Sequence, residues 1–212
     1  PYFNGQANLV YQLDAAGESV FELEEAYLTS TALPHNLQLK AGTYFTELGR
    51  LNAQHPHSWD FVDQPLANGR FLGPDGLRGP GARVSWLLPT RFYAELFLSV
   101  QNGNGGTAPS FRNVPGETYL GRPVLGRPLQ GLSDLLYVPR LAASFDLSGE
   151  QTLVVGASAA LGPNGSGGDT RTRIVVADSF WKWKAKNAQA GFPFAKWQTE
   201  MLHRRYEAGA AP

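Results

Sequence analysis

The run HPHSWDFVD, residues 55–63, gathers His55, His57, Asp60 and Asp63 into one short stretch. Imidazole nitrogens and carboxylate oxygens are ligand types that Zn²⁺ accepts. Histidines two apart in an extended segment project to the same side, so His55 and His57 could approach one ion. The alternative is structural: the same side chains fold their segment onto its neighbours through hydrogen bonds, with Trp59 and Phe61 packed beneath. Pro56 restricts the geometry that four ligands in so short a run would need. A second group, Glu22, Glu24 and Glu25 in FELEEAYL, contains two carboxylates of one parity, Glu22 and Glu24. On a strand these form an acidic row, either a cation-attracting ring or ordinary polarity balanced by Lys40, Arg83 or Arg204. Glu25 has the opposite parity and shares it with Phe21, Leu23 and Tyr27, which an apolar face accommodates only at an interface or beside a bulge. Arg112, Arg122, Arg127 and Arg140 offer a basic constriction that could select anions, with Glu117 and Asp134 as the counter-charges that would blunt it.

A larger set of charges recurs at every second position. Lys40, Arg83, Arg140, Asp146, Asp178, Lys182, Glu200 and Arg204 each alternate with apolar neighbours. Such rows would face a water-filled lumen and set its ionic selectivity. Chemistry of other kinds finds no support. The chain has no Cys, hence no thiolate metal site, disulfide or Cys nucleophile. There is no G-x-S-x-G elbow, and the Gly-rich QNGNGGT and GPNGSGGD stretches lack the Lys and the strand–loop–helix frame of a phosphate cradle. They read as loop tips. No enzyme is expected.

These side chains must be positioned by strands. Period-2 alternation runs along most of the chain without a sustained 3.6 period. Strands are expected near residues 5–13, 19–30, 36–47, 82–88, 91–101, 138–147, 151–161, 171–184 and 194–207. Short connections are expected around Gly17, at TALPHN, at Pro89-Thr90 and at SGE (148–150). Very long ones span about 48–81 and 102–137, with GPNGSGGD (162–169) and 185–193 of medium length. From residue 31 onward short and long connections mostly alternate, so both very long loops fall at one end of an up-and-down sheet. Trp86, Phe92, Phe145, Trp181, Trp183 and Trp197 lie near the short-turn end, most of them with the parity of the apolar positions. That is how an aromatic girdle at a membrane–water boundary is built. The pattern predicts an all-β, antiparallel, up-and-down transmembrane β-barrel, a single domain over 1–212 that is a partial segment of a larger barrel. Outer-membrane lipid would cover its apolar face, and loops 48–81 and 102–137 would be extracellular. The rival architecture is a soluble sandwich such as a carbohydrate-binding β-domain, in which Trp86 and Trp181 would be buried against a second sheet.

Eighteen basic and eighteen acidic residues cancel, so nothing favours nucleic acid. No apolar run approaches the roughly 20 residues of a transmembrane helix, a test that does not address barrels. The stretches LKAGTYFTELGRLNAQHPHSWDFVDQPL, FLGPDGLRGPGARVSWLLPT and DLLYVPRLAASFDLSGEQTLVVGASAALGPN resemble Gram-negative outer-membrane porin-like barrels, among them proteins labelled zinc-regulated TonB-dependent outer-membrane receptors. The resemblance implies a bacterial outer-membrane location and passage of a small hydrophilic solute or metal ion, with Zn²⁺ as the cofactor to look for and a homo-oligomer as a compatible assembly. A receptor of that kind carries a plug and a coupling segment, for which no room precedes Phe21. A passive porin-type barrel is therefore expected, with the barrel portion of a TonB-dependent receptor as the alternative.

Overall fold

In a computed structural model, residues 2–13, 19–189 and 191–209 are described; the turn expected around Gly17 lies outside them. Eleven strands form: β1 Phe3–Leu13, β2 Ser19–Ser30, β3 Leu37–Phe45, β4 Arg78–Leu87, β5 Tyr93–Gln101, β6 Thr118–Tyr119, β7 Arg122–Pro123, β8 Leu136–Ser148, β9 Gln151–Pro163, β10 Arg171–Gln189 and β11 Phe192–Tyr206. All nine expected strands are present, displaced by a few residues at their ends. The tiny β6–β7 hairpin and the helix α1, Leu66–Leu72, were not anticipated. α1 stops at Gly73, whose φ of 95° lies outside the helical range. Among the described residues no helix is long and apolar enough to cross a membrane.

Nine strands make one antiparallel meander in the order β1-β2-β3-β4-β5-β8-β9-β10-β11. Among the described residues β1 and β11 each pair on one side only, so no closed barrel forms. Register places whole rows on one face. Leu37, Trp86, Leu96, Leu141, Ala157, Ala177 and Met201 lie side by side across seven strands. The parallel row of Leu39, Val84 and Leu98 lies beside it. These large side chains are exposed; Leu98 keeps 49% and Met201 71% of its surface in contact with solvent. Trp86 is 41% exposed, and among the described residues no second sheet covers it, contrary to what a sandwich requires.

The opposite face is concave. Both long connections, residues 46–77 and 102–135, fold back over it. Leu48, Leu72 and Leu77 from the first and Ala108 and Phe111 from the second bury against Leu136, Val138, Ala160, Ile174 and Val176. Toward the loop end the concave face is therefore an apolar core, and the long loops are its cover. The cause lies in β8 and β10, which are apolar on both faces there, as the run Ile174-Val175-Val176-Ala177 illustrates; such a stretch needs cover on both sides.

Two backbone irregularities shape the wall. Between β1 and β2, Asn8 pairs Glu25 while Leu9 pairs Leu23, leaving Glu24 as the extra residue of a bulge. Before it Phe21 and Leu23 point outward; after it Leu28 does, and Glu25 turns inward to 5% exposure. The bulge thus resolves the parity conflict at Glu25 and sets two adjacent carboxylates toward the concave side. At Gly42 (φ +136°) a Cβ would stand 2.2 Å from the Ala26 carbonyl oxygen, so only glycine lets β2 approach β3 here.

Candidate functional site

The concave face and the loop 46–77 that crosses it form the candidate site. Asn52 ties the base of the loop: its Nδ2 donates to the carbonyls of Thr46 (2.7 Å) and Leu77 (2.9 Å), and its Oδ1 accepts from the Leu77 amide (2.7 Å). From that base the chain reaches β9, where the Gly49 amide donates to Ser158 Oγ at 2.9 Å. It then meets β11. Glu200 accepts from the amides of Arg50 (2.9 Å) and Leu51 (3.1 Å) and from Asn68 Nδ2 on α1 (3.2 Å). Successive backbone amides around a carboxylate make an anion nest. Gly49, at φ +67°, permits it, since a Cβ there would lie 2.5 Å from Glu200 Oε1. The Arg50 guanidinium rests over the Phe180 ring, 4.3 Å from its centroid. Burial pulls Arg50 below its ordinary value and the Asp178 carboxylate opposes that shift; a guanidinium stays charged throughout.

At its far side the same loop reaches β2. His55 Nε2 lies 2.9 Å from Glu25 Oε2 and its Nδ1 3.3 Å from Glu24 Oε2, while the Asn8 amide stands 3.0 Å from Nε2. His57 stacks on His55 with ring centroids 5.3 Å apart, and Phe45 meets His55 edge-on. Arg78 pairs with Glu22 and lies 3.9 Å from Glu24. Loop 46–77 therefore touches strands near both ends of the sheet order, β2 and β11. The sheet must curl around it.

The eight charged residues expected on one face are all on the concave face, but most are occupied by partners there. Arg140 and Asp178 form a bidentate pair at 2.7 and 3.0 Å, 9% and 6% exposed. Gly156, between them on β9, leaves the space: a Cβ would fall 2.4 Å from Asp178 Oδ2 and 2.6 Å from Arg140 Nη2. Arg83 pairs with Glu47, and Lys40 lies 3.8 Å from the same carboxylate and 4.4 Å above the Tyr27 ring. Glu200 holds the loop. Arg204 donates to Ser110 Oγ (2.8 Å) and Tyr119 Oη (2.5 Å), pinning the second long loop. Asp146 and Lys182 alone of the eight face open water, lining a basin of about 730 Å³ at the short-turn end with Glu150 and Lys184. Two of the four arginines considered as a constriction are occupied by partners. Arg112 donates to the Arg127 carbonyl and Arg140 is bound to Asp178.

The aromatic positions cluster near the short turns. Phe145, Leu153, Trp181 and Trp197 are register neighbours, and Phe92 packs on Phe145 with centroids 4.8 Å apart. Trp197 is 68% exposed. The indole nitrogens of Trp181 and Trp183 donate to Gln151 and Glu150 in the adjoining turn.

The zinc quartet is not assembled. His55 is engaged by Glu24 and Glu25, Asp60 pairs with Lys196 on β11, and Asp63 lines a pocket shared with Asp60 but not with His55 or His57. Among the described residues no group of three or more His, Cys, Asp or Glu side chains has an arrangement that could hold a metal ion. Sequence reasoning missed the loop-anchoring role of Glu200 and the function of Gly156 and Asn52. Only the glycine opposite a charged row carried a signal, a small residue between two strands whose inward neighbours are large and ionic.

No family model matches the chain, and no solved structure matches it. An uncharacterised protein of Aquifex aeolicus (strain VF5) is 32% identical over 219 aligned residues, covering 98% of this chain and 43% of the relative. The chain thus spans less than half the length of the curated relative it matches.

Proposed function

We propose that this chain forms part of the wall of a bacterial outer-membrane β-barrel of porin type, and that loop 46–77 constricts the path by which a small hydrophilic solute crosses. The observation that carries this is the continuous apolar face of the meander, exposed across seven strands and bounded by aromatic residues at one end. At the other end the outward row changes to Arg173 opposite Arg205. A patch of this extent on a soluble monomer is exceptional, and lipid is the environment that accommodates it. The outward stripe of β5 from Ala94 to Val100 runs for roughly 20 Å at the usual strand rise, with Phe92 just beyond its end, against a band of about 25 Å in outer-membrane barrels. Unpaired strand edges are untenable in hydrocarbon, so a membrane location requires β1 and β11 to meet further strands. The charged concave face, largely neutralised by internal pairs, suits a narrow aqueous path better than a wide unselective one.

Planar-bilayer conductance of the full-length protein in KCl tests this. Discrete ion-conducting steps are expected, with a reversal potential under a salt gradient set by the unpaired charges at the short-turn end. Silence from protein shown to be folded and inserted would overturn it.

A further inference from the structure

Beside the Glu200 anchor, loop 46–77 and β11 line a pocket of about 140 Å³. Two of its walls are aromatic, Trp59 and Phe61, and its polar groups are the side chains of Gln54, Asp63, Gln64 and Gln198. Trp59 is fixed edgewise, its indole nitrogen donating to the Gln54 carbonyl at 3.2 Å. Phe61 stands 79% exposed, an apolar ring open to solvent. Gln64 spends its amide nitrogen on the carbonyls of Gly73 (3.0 Å) and Pro74 (2.6 Å), which leaves its oxygen free to accept. Among the described residues, the side chains of Gln54, Asp63 and Gln198 have no hydrogen bond or ion pair within the protein. Asp60 on the rim is taken by Lys196.

Resting on the solute-path function proposed above, we infer that this pocket binds a single sugar ring or a comparable neutral polyol, the solute class the constriction handles. The chemistry of the lining selects it. Amide groups both donate and accept, which matches vicinal hydroxyls, and a carboxylate accepts two hydroxyl protons side by side. The C–H face of a pyranose is apolar and packs on an aromatic ring, which supplies buried area without any demand for charge. No Lys or Arg side chain lines the pocket, so an anionic ligand would lack a counter-charge. The volume admits one ring, not a chain of them.

Saturation-transfer NMR on the protein folded in lauryldimethylamine-oxide micelles tests the proposal, with glucose, galactose, mannose and N-acetylglucosamine as probes and choline as an organic-cation control. At least one sugar is expected to receive saturation, strongest at ring C–H protons. Phe61→Ala and Gln198→Ala should each weaken the apparent affinity about fivefold or more, the loss of one platform or one bidentate partner. Val62→Ala, whose side chain lies beside the pocket without lining it, should leave the affinity unchanged. Absence of transfer to every sugar in folded protein overturns the inference. So does transfer indifferent to Phe61→Ala and Gln198→Ala, or transfer to choline alone. Saturation transfer needs no transport: sugar binding without ion conduction would sink the pore and keep the pocket, and conduction without sugar binding would do the reverse.

Discussion

Arg140 and Asp178 show how little a residue's parity says about its role. Both face the concave side as alternation predicts, yet each is buried and saturated by the other, with Gly156 leaving the volume they occupy. A buried pair of this kind contributes modestly by itself but is costly to break, because the surviving charge has no partner. Arg140→Ala should therefore destabilise the fold by about 3–5 kcal/mol, read as a shift in the denaturant midpoint. The double replacement Arg140→Met with Asp178→Leu should recover most of that loss. Equal destabilisation by the single and double variants would contradict the pairing. The same lesson holds at Lys40 and Arg83, which share the Glu47 carboxylate.

The strands themselves were legible in the sequence because their alternation is long and the turns between them are marked by Gly, Pro and Asn; all nine of the large sheet were placed, whereas Phe45, which the alternation sets with the outward row of β3, is 4% exposed and meets His55 edge-on. On β2 the bulge at Glu24 shifts parity by one residue, and a strict period-2 count cannot locate such a shift. The loops were beyond reach for a different reason: their burial rests on contacts more than a hundred residues apart, such as Gly49 with Ser158 and Arg50 with Glu200. Glu200 reads as one more alternating charge until the nest that receives it is seen. If it anchors loop 46–77, Glu200→Ala should expose that loop to protease and raise amide exchange from Gly49 to Leu51 by an order of magnitude or more, since each charge-assisted hydrogen bond is worth roughly 1.5–3 kcal/mol. Glu200→Gln, which keeps one acceptor oxygen, should fall between. An unchanged cleavage pattern in Glu200→Ala would place the loop's attachment elsewhere.

Over the whole molecule, one sheet separates two unlike environments: a convex face of large uncovered apolar side chains, and a concave face where charges pair beneath two inward-folded loops. The relative from Aquifex aeolicus extends well beyond the matched region, and among the described residues β1 and β11 are the two open edges of the meander. Whether the convex face meets lipid is the central question, and the chain is well suited to answering it, because it contains no Cys and single-Cys probes need no background removed. A fluorophore placed in turn at Leu39, Val84, Leu98 and Val175, and at the inward positions Gln38, Ser85 and Ser99, would be measured in vesicles containing nitroxide-labelled lipid tails. Strong quenching at the first set and weak quenching at the second is the predicted result. Equal, weak quenching at both sets in protein shown to be folded and vesicle-bound would contradict a membrane-spanning wall.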